Sequence, residues 1–456
     1  MNELDIKSWR DKKKWFIFLC TFSIISFVYF LVLSSTGKFE NESIYLSNSM
    51  IVLYAIINLL VNENRSYSCR KMFYLFIFFF MGIAPIMQYK NGTEAVGGYK
   101  ITETTYLITN FLIIFALVVF DISYFISYKK IKYHNFGNKY FLNSKTNTEP
   151  SILGLSIILI SLACTFLVIY LNKSTPLLLV LRGLSDFQQE ETKYLGPIFG
   201  VLIKPLPILC CITYLCIGKK KYLKIILIIF ALISNFPTSL SRLRLAAYYM
   251  PIIIILFPKL RYKNRFIYLF IIGFLLIFPF MNNFRTWGES DFKWYNLGFD
   301  MFCNMNYDSY QSFAFIVQND EITNGKQLLS TIFFWIPRIF WEDKPYFTGI
   351  YMADKYNLWF SQIAINYFGE GYVNFGLLGV FLFAIILGWI TAKFDKGYWF
   401  YGKGSIHSLF APFYLIFMGM YFFFMRGDLM YGFQYTLGLL LGTYFIYIVV
   451  KHSLKN

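Results

Sequence analysis

The chain has 456 residues, of which 57% are hydrophobic, 21% aromatic and only 15% charged. Soluble domains carry roughly 25% charged residues, so the composition excludes an ordinary soluble protein and predicts a membrane protein. The net charge of +17 does not indicate nucleic-acid binding, because Lys and Arg gather in short loops on one side of the predicted spans. The seven cysteines show neither a disulfide framework nor the spacing of zinc ligands.

Long apolar runs predict the fold class, an all-α, polytopic bundle of membrane helices. The runs approach the roughly 20 residues needed to cross a hydrocarbon core, and they do not alternate in polarity as barrel strands do. We predict about twelve spans, at 15–33, 44–61, 72–87, 105–127, 151–172, 196–217, 222–237, 245–260, 266–283, 373–392, 406–424 and 431–450. The first run lacks a small-residue cleavage site and therefore predicts a retained span.

The distribution of basic loops predicts the orientation. Positive charge concentrates in loops that the positive-inside trend assigns to the cytoplasm, and both termini are among them. The opposite side receives one segment that is too long for a simple connection. The sequence thus divides into an N-terminal bundle over 1–283, a long external loop over 284–370, and three further spans over 371–456.

The long loop contains an apolar pattern near helical spacing. Over Gln327 to Phe340 this pattern predicts a short amphipathic helix that lies in the plane of the membrane interface. Pro337 would kink or end it, which leaves Arg338 at headgroup depth with Trp335 and Trp341 as anchors. Other aromatic residues of the loop either stack on sugars or form an interfacial belt.

Cations near span ends on the outer side are the first candidate site. A guanidinium is always charged and grips phosphate oxygens in pairs, so clustered arginines suit a diphosphate ligand. The alternative is snorkelling of single side chains to the interface. The outward cations are Arg182, Arg242, Arg244, Arg285, Arg338, Lys344 and Arg426.

Glu370 is the best candidate for proton transfer on the outer side. It stands between Gly369 and Gly371, just before a predicted span, and no histidine falls outside in this topology. Such a carboxylate suits a general base, although a glutamate placed against a helix macrodipole has the same pattern. No carboxylate cluster has the spacing of a divalent metal site, so we expect chemistry without metal or cofactor.

Two phrases carry a resemblance to a known family. The segment Pro337 to Pro345 (PRIFWEDKP), followed by Gly369 to Gly376 (GEGYVNFG), resembles the Wzy-type O-antigen polymerases of bacteria. The turn at 237–244 and Arg426-Gly427 are similar as well. The resemblance implies a membrane glycosyltransferase of the GT-C type that joins undecaprenyl-diphosphate-linked repeat units on the outer face of the bacterial inner membrane.

The resemblance also implies roles for individual residues. Arg338, Arg242, Arg244 and Arg426 would bind the diphosphate, and Glu370 would act as base, with Arg338 beside the reacting bond. We expect Arg285 and Lys344 to join the diphosphate site. The residues expected to contact sugars are Trp341, Tyr372 and Asn374. The expected partners are the lipid-linked oligosaccharides, membrane lipids and a protein that regulates chain length.

Two alternatives stay open. A flippase for the same lipid-linked sugar predicts cations buried within the membrane, paired halves and broken helices. Lys204, flanked by Pro205 and Pro207, fits that view. An O-antigen ligase shares the donor but uses a histidine in an outer loop, which this sequence lacks.

Overall fold

A computed structural model describes residues 42–63, 65–94, 96, 98–131, 151–171, 199–262, 264–284, 299–360 and 363–453. Throughout these ranges the regular secondary structure is helical, which confirms the all-α fold class. In chain order the helices are α1 (Glu42–Asn62), α2 (Cys69–Lys90), α3 (Glu103–Lys130), α4 (Ile152–Tyr170), α5 (Phe199–Ile217), α6 (Lys221–Ser239), α7 (Arg242–Leu256), α8 (Arg265–Phe280), α9 (Ser309–Gln318), α10 (Lys326–Ile332), α11 (Thr348–Lys355), α12 (Tyr367–Tyr401), α13 (Ala411–Arg426) and α14 (Leu429–Ser453).

Apolar length supports the membrane assignment. Within the described ranges, 8 helices are long and apolar enough to cross a membrane: α1 to α6, α12 and α14. The apolar helices α8 and α13 are shorter. The predicted first span at 15–33 lies outside the described residues, so the count of about twelve spans stays a prediction.

Contacts divide the chain into two units, each assembled from separate stretches. The first unit comprises 1–123, 298–388 and 425–429, and the second comprises 124–297, 389–424 and 430–456. The first unit thus combines helices α1 and α2 with much of the segment predicted as a long loop. The predicted division into two bundles and an external loop describes on which side of the membrane each segment lies, and it stays a prediction.

Helix α12 is broken near its start. Phe375 and Gly376 leave the helical conformation, and Gly376 adopts φ 59° and ψ −141°, a combination that only glycine reaches without strain. The carbonyl groups freed by the break accept hydrogen bonds from another segment, because Thr323 N donates to Val373 O at 2.6 Å and Gly325 N donates to Asn374 O at 2.9 Å. The sequence predicted this span from 373, but the helix begins at Tyr367 and carries the break inside.

The predicted amphipathic helix over Gln327 to Phe340 is shorter than expected. Helix α10 ends at Ile332, and the chain continues in turns. Pro337 explains this difference, because it disfavours helical geometry in the preceding residue and lacks the N–H that a further helical turn needs. Lys344 Nζ donates instead to Phe334 O at 2.7 Å and to Ile336 O at 2.9 Å, which satisfies two carbonyls of the turn.

Candidate functional site

Arg244 is a predicted diphosphate ligand in the second unit and is half-buried. It lies in the first turn of α7, where its guanidinium donates a hydrogen bond to the Tyr431 hydroxyl and stacks over the Tyr435 ring at 4.3 Å. Its Nε is buried and meets no acceptor among the residues that the structure describes. Aromatic faces attract a cation but do not neutralise it, so the charge of Arg244 is held in place without a counterion among the described residues.

A second cation lies beside it. Lys204 follows a π-helical turn in α5 and precedes Pro205, and its carbonyl accepts a hydrogen bond from Asn235 Nδ2 at 2.9 Å. The ammonium is close enough to Arg244 for the two charges to repel. Within the described ranges no carboxylate pairs with either cation. The two cations are therefore a candidate site for an anion.

Arg242 does not join this pair. Residues two apart on a helix point to different sides, and the Arg242 guanidinium stacks over the Phe278 ring at 4.3 Å and donates to Phe278 O at 3.4 Å. It lines a cavity of about 340 Å³ between α7 and α8. The Arg242 and Arg244 guanidinium groups therefore contact different aromatic residues, on α8 and α14 respectively.

Arg426 lies in the first unit and has a counterion. It pairs with Asp308 at 3.2 Å and donates from Nε to Asn306 O at 3.0 Å. Burial raises the pKa of Asp308 to about 6, against the opposing effects of Arg426 and of hydrogen bonds such as that from Ala364 N. Because the Asp308 carboxylate already neutralises much of its charge, Arg426 attracts a diphosphate less strongly than an arginine without a counterion.

Glu370 is enclosed in the first unit, with an exposed fraction of 1%. One oxygen accepts from Thr348 Oγ1 at 2.8 Å, and the other accepts from Leu429 N at 3.0 Å. Asp428, which accepts from Gly349 N at 3.1 Å, is near enough to repel Glu370. Asp428 is the more exposed member of this carboxylate pair.

Arg338 and Lys344 come together in the turns after α10. Arg338 is exposed, stacks over the Tyr346 ring at 3.8 Å and donates to the carbonyl of Lys344. Burial, with a further contribution from Arg338, lowers the pKa of Lys344. The hydrogen bonds of both side chains stabilise the conformation of this segment. The Arg338 side chain is also exposed to its surroundings.

The residues predicted to contact sugars occupy three different environments. Asn374 is buried, donates to Glu370 O at 2.8 Å and accepts from Leu328 N at 2.8 Å, so it fixes the end of the short helical segment before the break in α12. Tyr372 donates to Asp320 at 2.9 Å. Trp341 is half-buried. Arg285 lies outside the described residues.

Sequence reasoning did not single out the tyrosines around Arg244. Tyr431 and Tyr435 are four residues apart on α14, which places them on one helix face, and their rings are 4.7 Å apart. That spacing was visible in the sequence. Their contact with Arg244 was not, because 187 positions separate Arg244 from Tyr431.

Comparisons with known proteins give no further identification. No family model, curated protein or solved structure matches the chain.

Proposed function

We propose that the chain is a membrane glycosyltransferase that polymerises undecaprenyl-diphosphate-linked oligosaccharide repeat units into O-antigen or capsular polysaccharide. The observation that supports this most is the Arg244–Lys204 pair, since these neighbouring cations have no carboxylate partner among the described residues. A diphosphate supplies the negative charge that this pair lacks. A planar guanidinium with an unoccupied N–H suits phosphate oxygens in particular.

The proposed reaction requires cations that stabilise the leaving diphosphate, a role that suits Arg244 and Lys204. The hydroxyl of an acceptor sugar attacks the anomeric carbon of the donor glycan, a new C–O bond forms, and the bond from that carbon to the diphosphate oxygen breaks. The undecaprenyl diphosphate departs with the bonding electrons. Fixed cations in a site of low polarity stabilise the charge that develops on it. We assign this role to Arg244 and Lys204.

The proton of the attacking hydroxyl also needs an acceptor. We propose the carboxylate pair of Glu370 and Asp428 for this role. Two carboxylates held close together favour sharing a proton, and Asp428 is the member more open to its surroundings. Thr348 and the Leu429 N–H orient Glu370 through the hydrogen bonds described above.

Deletion of the gene in its host tests the reaction class. Loss of a polymerase leaves single repeat units on the cell surface, whereas loss of a flippase leaves none. We expect a surface polysaccharide with single units only. An unchanged distribution of chain lengths would contradict both functions.

Complementation tests the site. We expect Arg244→Ala to abolish long chains while the protein remains in the membrane. Arg265→Ala is the matched control, because Arg265 is an exposed arginine at the start of α8 and its loss makes the same change in charge. Long chains with Arg244→Ala, or their loss with both variants, would remove the anion site from the mechanism.

A parallel pair of variants tests two residues that the sequence analysis singled out, Arg338 and Glu370. Arg338→Ala and Glu370→Gln are expected to abolish long chains without loss of protein from the membrane. Unchanged chain length in either variant excludes that residue from the site, without affecting the result for Arg244.

One observation favours the flippase as a second candidate. Helix α12 is broken, and a π-helical turn and Pro205 interrupt α5 beside Lys204. Interrupted helices and enclosed cations occur at the substrate sites of transporters. The deletion experiment separates the two functions, because a complete absence of surface repeat units identifies the flippase.

A further inference from the structure

The cavity between α7 and α8 has the form of a site for a hydrocarbon chain. Its volume is about 340 Å³, within the roughly 300–1,000 Å³ of small-molecule sites. Apart from Arg242 and the Tyr249 hydroxyl its lining is apolar, and that hydroxyl already donates to Asn235 O at 2.6 Å. A polar ligand would therefore find few hydrogen-bonding groups inside the cavity.

Gly273 contributes to the open space. It lies within α8, where glycine is less favourable than alanine by roughly 1 kcal/mol, and it lines the cavity. A Cβ atom added there would meet no atom of the described residues within 4 Å. Close packing against the described helices therefore does not account for this glycine.

Aromatic rings form one wall of the cavity. Phe270, Phe274 and Phe278 follow one another at four-residue spacing on α8, with ring centroids 6.0 Å and 5.1 Å apart. The Arg242 guanidinium lies over the last of these rings. The wall is thus apolar along its length and positively charged where it reaches Phe278.

This combination selects an amphiphile with an anionic head. A neutral hydrocarbon would gain nothing from Arg242, and a free phosphate would gain nothing from the aromatic wall. An isoprenoid chain suits the wall better than a saturated acyl chain, since its double bonds leave fewer rotatable bonds to be ordered on binding, and ordering costs affinity.

We infer that the cavity binds the isoprene units next to the phosphate of a polyisoprenyl phosphate or diphosphate, with Arg242 contacting the phosphate. This inference rests on the proposed function and adds a chain-binding site to it. The apolar part of the ligand strengthens binding with each methylene removed from water, so a few buried carbons are enough for a tenfold effect.

Binding measurements on the purified full chain test the inference. The probes are farnesyl diphosphate, inorganic diphosphate and a dipalmitoyl phosphatidic acid. We expect the wild-type protein to bind farnesyl diphosphate at least about tenfold more tightly than inorganic diphosphate, a difference of about 1.4 kcal/mol. Phosphatidic acid should compete at least tenfold more weakly than farnesyl diphosphate.

Variants of Gly273 locate the chain. Gly273→Phe places a ring in the open space, and Gly273→Leu is a smaller replacement with good helix propensity. Both should reduce the affinity for farnesyl diphosphate to that for inorganic diphosphate. Ile272→Phe is the matched control, because Ile272 is the preceding residue of α8, is 54% exposed and does not line the cavity; it should bind like the wild type.

Three results would overturn the inference. They are unchanged farnesyl diphosphate binding in both folded Gly273 variants, equal competition by phosphatidic acid, and equal loss in Ile272→Phe. Failure of the proposed function gives a different pattern: the deletion strain keeps its long chains while farnesyl diphosphate still binds in a manner that depends on Gly273. The failure of either idea can thus be recognised separately.

Discussion

Two arginines of the first unit and two cations of the second unit have different kinds of partner. In the first unit, Arg70 pairs with Asp121 at 2.7 Å and Arg426 pairs with Asp308 at 3.2 Å. In the second unit, Arg244 contacts a tyrosine hydroxyl and two tyrosine rings, and Lys204 has no carboxylate partner among the described residues. The same residue types are thus part of the scaffold in one unit and a candidate binding site in the other.

This difference teaches which cations to test for function. A charge that is enclosed and paired stabilises the fold mainly because removing one partner strands the other. A charge that is enclosed without a counterion costs stability and is retained for another reason, such as the binding of a substrate or ion in membrane proteins. Substitution of a paired cation should therefore mainly lower stability, whereas substitution of a cation without a counterion should mainly lower activity.

The largest effect on stability should come from Arg426→Ala. This change leaves the Asp308 carboxylate buried, with an exposed fraction of 2%, and without its counterion. We expect a loss of about 3–5 kcal/mol in the free energy of unfolding near neutral pH, measured by thermal or denaturant unfolding in detergent. Lys326→Ala is the control, because Lys326 is exposed and should change stability by less than about 0.5 kcal/mol. Equal small losses in both variants would show that the pair contributes nothing.

Titration of Asp308 should give the next largest effect. Its folded-state pKa of about 6 lies above the ordinary value of 3.8, chiefly because of burial. The folded protein therefore binds this proton more readily than the unfolded chain. The contribution to stability is complete below the ordinary pKa and is lost as the pH rises through about 6.

The measurement compares the wild type with Asp308→Asn. Between about pH 4 and about pH 7 the stability of the wild type relative to this variant should fall by up to about 3 kcal/mol. Parallel pH curves for the two proteins would show that Asp308 does not titrate in this range. Asp354→Asn, at an exposed site, controls for the substitution itself.

The break in α12 permits a smaller test. Gly376 has φ 59°, and an added Cβ would meet Ile322 Cδ1 at 3.1 Å. We expect Gly376→Ala to destabilise the protein by about 1–3 kcal/mol. Gly273→Ala in α8 should instead stabilise it by up to about 1 kcal/mol, since that site is helical and open. If both alanine variants change the free energy of unfolding in the same direction, the break does not impose the expected strain on residue 376.

Much of the helical framework could be predicted from the sequence. The run predicted at 105–127 lies within α3, and the run at 431–450 lies within α14, because apolar length is a local property that hydropathy measures directly. The break in α12 could not be placed in this way. It depends on contacts from Thr323 and Gly325 to the end of the short helical segment.

The site was harder to predict than the fold. The local sequence pattern gave Arg244 and Arg426 the same predicted role in binding a diphosphate, because each is an arginine near a helix end. Their difference comes from partners far away in the chain: Asp308 is 118 positions from Arg426, and Tyr431 is 187 positions from Arg244. Whether an arginine meets a carboxylate or a tyrosine is a tertiary property, which a single sequence does not reveal.

The smallest effect on stability should accompany a complete loss of activity. Arg244→Met keeps an unbranched side chain beside Tyr435 and removes the charge that repels Lys204. We expect the free energy of unfolding to stay within about 1 kcal/mol of the wild type or to rise, because no buried carboxylate is stranded. Polymerisation should fall by at least about 100-fold, as when a donor to a developing anion is removed. Unfolding in detergent and the length distribution of the surface polysaccharide measure the two quantities. A loss of stability comparable to that of Arg426→Ala would place Arg244 in the scaffold, and the contrast between the two units would then disappear.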